Sequence, residues 1–254
     1  MTDLRYSLEL SEAPAAEPLT TAQAKQHLRV DSIIVTAGSF VTGETYVINT
    51  TGTTVWTNIG AADNNVGTEF VATGPGAGTG TAILGNEDSQ INAWIKSARA
   101  QVEIDTNRAL ITQTWKMYLD QFPCDGGPIE LPRSPLQSIT SIQYVDTDGV
   151  TQTWDSAEYR VDEISQPGRI TPEYDYSYPA TRAVTNAVII TFVAGYGDEP
   201  ADIDHPDYLN LISALKLLLA HFYEHREAVQ DGVIPHVVPM GYDSIIMRHK
   251  LWQF

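Results

Sequence analysis

The stretch that most constrains the fold is Glu87–Ala109, because its apolar residues recur at the spacing of one helical face. Ile91, Ile95 and Val102 belong to this face, and Lys96 lies on another. Burying each of the three apolar side chains contributes ~1.5–3 kcal/mol to folding. The sequence therefore predicts a long amphipathic helix that packs on a core.

The segment before this helix has a different composition. A short helix is expected at about Ala22–Leu28, and residues 1–18 are expected to form an extended arm. Ser32–Gly85 lies in a region without Lys or Arg and is dense in Thr, Gly, Val and Ala. Runs of β-branched and aromatic residues alternate there with Gly and Asn turn signals. We expect a small antiparallel module of four to six short strands, with segments SIIVTAG, ETYVINT, TVWTNIG, GTEFVATG and GTGTAIL.

The glycine-rich stretch at residues 74–80, GPGAGTG, invites comparison with a phosphate-binding loop. That loop requires a following Gly-Lys-Ser/Thr and a helix, and here neither follows. We interpret the stretch as a flexible hairpin or turn.

Residues after the long helix alternate between apolar and polar side chains, which is typical of strands. Ala187–Tyr196 is the most continuously apolar of these segments and is expected at the centre of a sheet. Asp148-Gly149 is a hairpin turn signal. Three tyrosines in residues 171–182 form either a contact surface or a cover for the sheet edge. Further strands are expected at residues 109–120, 129–131, 138–146, 150–154, 159–161 and 168–170.

A second long helix is expected from Pro206, which suits a first helical position, to about Ala228. Its apolar face is wide enough to suggest burial against its own sheet and against a second body, such as another subunit. Together these elements predict an α+β fold: a helical core with an antiparallel β region, plus an inserted small all-β module. The residues of the wide face are Tyr208, Leu211, Ile212, Leu215, Leu218, Leu219 and Phe222.

The charge of the chain limits its partners. The formal net charge is −17 at pH 7 and 43% of the residues are hydrophobic, so the chain can build a core but has no basic surface for phosphates. Binding to anionic membranes is disfavoured for the same reason. We see no secretion signal, and Leu209–Phe222 is too short and too polar to span a bilayer. Cys124 is the sole cysteine, so no intramolecular disulfide is expected.

One motif suggests chemistry. His221-Phe222-Tyr223-Glu224-His225 matches H-x-x-E-H, in which two histidines bind zinc and the glutamate acts as general base. A third protein ligand would have to come from elsewhere, and Glu227 is too close for that role. Histidine near a helix C-terminus also interacts favourably with the helix dipole. Because no other catalytic pattern is present, we expect no enzyme, no cofactor and no metal.

The order of the elements resembles the tailed-phage head–tail connector (adaptor) proteins, in their sheet-rich branch. The resemblance covers residues 19–31 and 87–254, and includes the helix followed by ALITQTW, the LPRSPLQSI loop and the junction from VAGYGD to the last long helix. The ending VPMGYDSIIMRHKLWQF also resembles the C-terminal segment of that family.

The resemblance implies a structural role. It predicts a homo-oligomeric ring, with twelve copies expected, docked beneath the portal protein at the head–tail junction of the virion after synthesis in the host cytoplasm. The ring would extend the DNA channel, let DNA pass without sequence-specific binding, and offer a platform to the next tail or neck protein. An acidic channel wall would repel DNA and let it slide.

The resemblance also divides the chain. Residues 1–31 would form the arm and first helix of the connector domain, 86–231 the connector core and 232–254 the C-terminal docking segment. Residues 32–85 depart from the family and resemble Thr/Gly-rich β modules of other phage structural proteins. The alternative function is therefore a surface- or glycan-binding virion module carried by this insert.

Two sets of residues are candidate contacts. Aromatic and cationic residues at the C-terminus suit anchoring in a groove of the portal; the competing interpretation is that Leu251 and Trp252 fold back on their own core. The wide face of the last long helix suits a ring interface. The portal-docking candidates are Met247, Arg248, His249, Lys250, Leu251, Trp252 and Phe254, and the ring-interface candidates are Leu211, Leu215, Leu218 and Phe222.

Overall fold

The computed structural model divides the chain into two compact units. The first unit comprises Met1–Thr20 and Ile95–Phe254, and the second unit comprises Thr21–Trp94. Helices and antiparallel sheets are both present, so the predicted α+β class is confirmed. The structure describes residues 6–30, 33–85, 87–225 and 240–252.

The elements of the described residues follow one another in this order: β1 (Tyr6–Glu12), α1 (Thr21–Leu28), β2 (Ile33–Thr36), β3 (Thr45–Thr50), β4 (Glu69–Val71), β5 (Thr81–Leu84), α2 (Asp88–Thr106), β6 (Gln113–Leu119), β7 (Ile129–Leu131), β8 (Leu136–Val145), β9 (Thr151–Thr153), β10 (Tyr159–Asp162), β11 (Gly168–Pro172), β12 (Val188–Ala194), α3 (Pro206–Glu224) and α4 (Met240–His249).

Helix α2 is the helix that the apolar periodicity predicts, and Ile91, Ile95 and Val102 are all buried. It ends at Thr106, three residues before the predicted end. Asn107 adopts a left-handed conformation with φ of 56°, which terminates the helical hydrogen-bond pattern.

The larger sheet of the first unit is antiparallel, with the strand order β1-β6-β12-β8-β9. Strand β12 lies in the middle, as predicted from its apolar sequence. Within the expected N-terminal arm, Tyr6–Glu12 form the edge strand β1, in which Leu8 pairs with Met117 and packs against the core. Backbone pairing with β6 stabilises this strand. The sequence does not indicate it, because the arm has few apolar residues.

A smaller sheet with the order β10-β11-β7 closes the same core. The tyrosines that follow β11 divide between the two predicted roles. Tyr178 stacks on Phe122, with ring centroids 5.2 Å apart, and its hydroxyl donates to the Gly127 carbonyl. Tyr174 and Tyr176 remain exposed. One tyrosine therefore covers the core, whereas two face outward.

The second unit contains a four-stranded antiparallel sheet with the order β2-β5-β3-β4, within the predicted range of strand number. Its aromatic core is formed by Phe40, Tyr46, Trp56 and Phe70. The segment TVWTNIG is not a strand as predicted: Trp56–Ile59 is a 3-10 helix that buries Trp56 completely.

The glycine-rich loop at residues 74–80 packs closely on this core. A Cβ atom on Gly80 would lie 2.5 Å from the Trp56 ring, and one on Gly78 would lie 2.6 Å from the Thr54 hydroxyl. Gly80 also donates its backbone N–H to Thr54 Oγ1 at 3.0 Å. The loop is thus a packed connection into β5, and Gly78 and Gly80 are required by close approach.

Helix α3 begins as predicted, with Pro206 at its first turn and His205 accepting a hydrogen bond from the Asp207 N–H. It is described to Glu224, and the predicted end near Ala228 lies outside the described residues. The closing segment contains a helix, α4, that packs against α3. None of the described helices is both long enough and apolar enough to cross a membrane.

Candidate docking surface

The C-terminal segment is held by its backbone at the end of α2. Leu251 donates its N–H to the Thr106 carbonyl at 3.0 Å, and its own carbonyl accepts from Asn107 Nδ2 at 2.9 Å. The His249 carbonyl, at the end of α4, accepts from Arg108 Nε at 2.7 Å. The contacts to the Thr106 and His249 carbonyls satisfy polar groups that a helix end otherwise leaves without partners.

Helix α4 is fixed by its buried face. The buried Tyr242 donates its hydroxyl hydrogen to Asp105 at 2.6 Å, and burial together with this carboxylate raises the pKa of the phenol far above its usual range. Ile246 is buried one turn later. The His249 imidazole lies 3.5 Å from an Asp207 oxygen at the start of α3, and burial lowers its pKa.

The outward side of the segment carries the predicted docking side chains. Met247 is 65% exposed and Trp252 is 57% exposed. The Lys250 ammonium lies 5.0 Å from the Trp252 ring centroid, a cation–π geometry, and Arg248 is exposed. The backbone of the segment therefore returns to its own chain while Trp252 faces outward, and docking to the portal stays a prediction. Phe254 lies outside the described residues.

Arg108 is a residue that sequence reasoning missed. It is only 5% exposed, and its Nη1 donates to Gln166 Oε1 at 2.8 Å and to the Tyr196 hydroxyl at 2.9 Å. With its bond to the His249 carbonyl, one guanidinium thus joins the end of α2, the β10–β11 loop, the end of β12 and α4. All partners are distant in sequence, so no local pattern marks this arginine.

A buried acid supports the same end of α2. Glu103 is 6% exposed and accepts hydrogen bonds from Arg99 Nη1 at 3.0 Å, the Leu110 N–H at 2.9 Å and Gln113 Nε2 at 2.6 Å. Arg99 also binds Glu17 at 2.8 Å. Burial raises the pKa of the Glu103 carboxyl, and the charge of Arg99 opposes this rise.

Three of the four candidate ring-interface residues on α3 are buried in the structure. Leu211, Leu215 and Leu218 are buried within a single subunit, so they have no surface to contribute to a neighbour. Only Phe222 of the four residues is partly exposed. The wide apolar face is therefore largely buried within the chain, and a ring contact on this helix, which stays a prediction, would have to use its C-terminal end at Phe222.

The histidine motif has no metal-site geometry among the described residues. The His221 and His225 rings stack with centroids 4.5 Å apart, and Glu224 is exposed. Across the ranges that the structure covers, no three His, Cys, Asp or Glu side chains converge to hold a metal ion.

The comparisons with known proteins identify a shared fold. A scan against protein-family models and a search of the curated proteins found no match. A solved chain from the neck of an empty gene transfer agent (GTA) particle, computed with C6 symmetry, matches with a TM-score of 0.63 and 21% identity over 98% of this chain and 97% of that chain. A chain from the virion of a native GTA particle matches with a TM-score of 0.62 and 19% identity over 97% and 96%.

A third chain comes from the neck of a native GTA particle computed with C12 symmetry. It matches with a TM-score of 0.52 and 23% identity over 66% of this chain and 85% of that chain. The first two matches extend over almost the whole chain, so both the first and the second unit have counterparts in those folds. These comparisons define a fold that is also found in the neck and virion of GTA particles.

Proposed function

We propose that this protein is a structural component of the neck of a phage-like particle, located at the head–tail junction. The observation that carries the proposal is the likeness in fold, over 98% of the chain, to a protein in the neck of a GTA particle. The connector-like order of sequence elements supports the same role. In this role the protein assembles and seals a channel and has no catalytic task.

We further propose that the protein is an adaptor that forms a closed ring under the portal, with twelve copies. The C6 and C12 symmetries under which the similar necks were computed support a cyclic assembly. A cyclic ring requires two different surfaces on each subunit, because each copy contacts its two neighbours through opposite sides. The net charge of −17 suits a wall along which DNA passes without binding.

The proposed portal contact is the outward side of the C-terminal segment. Its backbone is fixed at the end of α2, whereas Met247 and Trp252 expose apolar surface that is available to a partner. Exposed tryptophan on a rigid support is typical of residues that dominate binding energy. Residues 32–85 are proposed to project from the outside of the ring as a separate module.

The test is electron microscopy of the purified protein with the portal of the same particle, with class averages analysed for symmetry. We expect closed rings stacked on the portal, with twelvefold symmetry. A protein that stays monomeric in the presence of the portal would refute the adaptor role. Normal ring assembly and infection by particles that lack residues 32–85 would exclude an essential binding role for that module.

A further inference from the structure

The loop between β10 and β11 contains an isoleucine that is almost fully exposed to solvent. Ile164 is 94% exposed, the highest exposed fraction among the large hydrophobic side chains of the described residues. Single exposed apolar residues are common on protein surfaces and need no partner. Ile164 differs from such residues because hydrogen bonds hold the loop that carries it.

Asp162 organises the loop around the exposed side chain. Its Oδ1 accepts from the Ile164 N–H at 3.1 Å and from the Ser165 N–H at 3.0 Å. Its Oδ2 accepts from the Ser165 hydroxyl and from Arg169 Nη2, both at 2.6 Å. Because the two backbone bonds hold Ile164 and Ser165 before any partner arrives, little backbone entropy remains to be lost when Ile164 is buried.

Arg108 joins this loop to the C-terminal segment. Its Nη1 reaches Gln166, two residues after Ile164, and its Nε reaches the His249 carbonyl, three residues before Trp252. Ile164 and Trp252 therefore project from two segments that one buried side chain holds at a common end of the first unit. The planar guanidinium fixes the direction of both bonds, which a lysine cannot do.

Charge indicates the character of the partner at this end. Arg248 and Lys250 are cations in a chain of net charge −17, and they lie beside Met247 and Trp252. A partner surface that accepts the C-terminal segment needs an apolar pocket with an acidic rim. Another copy of that segment would bring Arg248 and Lys250 against the same cations.

We propose that the Ile164 loop and the C-terminal segment are two halves of one docking surface for the portal, and that Arg108 is the positioning residue that sets their spacing. This proposal rests on the proposed adaptor function. Ile164 enters one apolar pocket of the portal and Trp252 enters another. Arg108 contacts neither pocket and acts through the two segments that it holds.

The first experiment compares Ile164→Ser with Tyr174→Ser in binding to the purified portal ring. Tyr174 is a matched control because it is 85% exposed and follows the other end of β11. That strand separates the two positions by roughly 16 Å, at 3.3 Å per residue. We expect Ile164→Ser to weaken binding about thirtyfold, as for a hot-spot residue, and Tyr174→Ser to change it less than about threefold.

A second experiment tests the role of Arg108. Arg108→Lys keeps the charge but loses the two-directional geometry, so we expect portal binding to weaken and amide exchange at Leu251 to accelerate. Adding Ile164→Ser to this variant should weaken binding by much less than it does in the wild-type protein, because the loop is already displaced. Thermal melts of each variant establish that it is folded.

The outcomes separate this proposal from the adaptor function. If the wild-type ring binds the portal and Ile164→Ser binds equally well, the two-part surface is wrong and the adaptor function stands. If Ile164→Ser prevents ring closure but not portal binding, the loop is a subunit–subunit contact and the proposal is overturned. If the wild-type protein does not bind the portal at all, the adaptor function itself fails.

Discussion

The buried carboxylate of Glu103 offers the sharpest test of how the end of α2 is stabilised. The substitution Glu103→Ala removes the acceptor of the Leu110 N–H and of Gln113 Nε2, whereas Arg99 retains its bond to Glu17. Each buried donor left without a partner costs about 1–3 kcal/mol. Two such donors predict a loss of about 4 kcal/mol in the free energy of unfolding of the first unit.

The assay is native-state hydrogen exchange, because a chain of two units does not unfold in one two-state step. Protection of the α2 amides after Ile95 reports the stability of the first unit directly. Glu17→Ala is the matched control: it removes the other partner of Arg99 from a more exposed position, and we expect a loss of less than about 1 kcal/mol. A loss below about 1 kcal/mol for Glu103→Ala, or equal losses for both variants, would refute the reasoning.

Three further predictions concern other parts of the molecule. Gly80→Ala should destabilise the second unit by about 1–3 kcal/mol, because its Cβ would lie 2.5 Å from the Trp56 ring. Gly74→Ala is the control, because its Cβ would meet nothing within 4 Å. Thermal melts and hydrogen exchange in β5 distinguish the two variants. Burial raises the pKa of Glu103 above its ordinary value of 4.5, so the wild-type protein should lose stability relative to Glu103→Gln as pH rises above that value. Hydrogen exchange of the α2 amides measures this difference, and a difference that does not change with pH would contradict the direction. Phe222→Glu should reduce ring closure in sedimentation experiments without lowering the melting temperature, and unchanged rings would remove α3 from the proposed interface.

Hydrophobic periodicity predicted the elements in which the local sequence alone specifies which side chains are buried. The apolar face of α2 and the continuous apolar run of β12 each specify burial on one or both sides, and the structure places both accordingly. Pro206 marked the first turn of α3 for a purely local reason, the absence of its N–H. These predictions depend on residues near one another in the sequence.

The errors come from elements whose stability is supplied by distant partners. Strand β1 has a largely exposed pattern, and it forms because β6 offers a free backbone edge over 100 residues away. Trp56 lies in a run with strand propensity, yet its ring fills the core of the second unit only if the backbone turns into a 3-10 helix. In both cases tertiary packing overrides local propensity.

The candidate site was predictable in its composition but not in its construction. Trp252 and the neighbouring cations stood out in an acidic sequence, and Trp252 is exposed. The sequence could not reveal that Arg108 holds this segment, since its partners lie 58, 88 and 141 positions away. Ile164 was missed because an isolated isoleucine beside a turn carries no periodic signal.

Hydrogen bonds between uncharged groups join the segments that flank β3 and β5 in the second unit. Thr53 and Thr79 exchange hydrogen bonds, the hydroxyls of Thr50 and Thr81 lie 2.8 Å apart, and Thr54 receives the Gly80 N–H. Mobile ions screen interactions between charges and leave neutral hydrogen bonds largely unaffected. The sheet should therefore keep its stability as ionic strength changes, whereas the ion pairs of the first unit weaken. A sheet held in this way should therefore keep its shape in both concentrated and dilute salt.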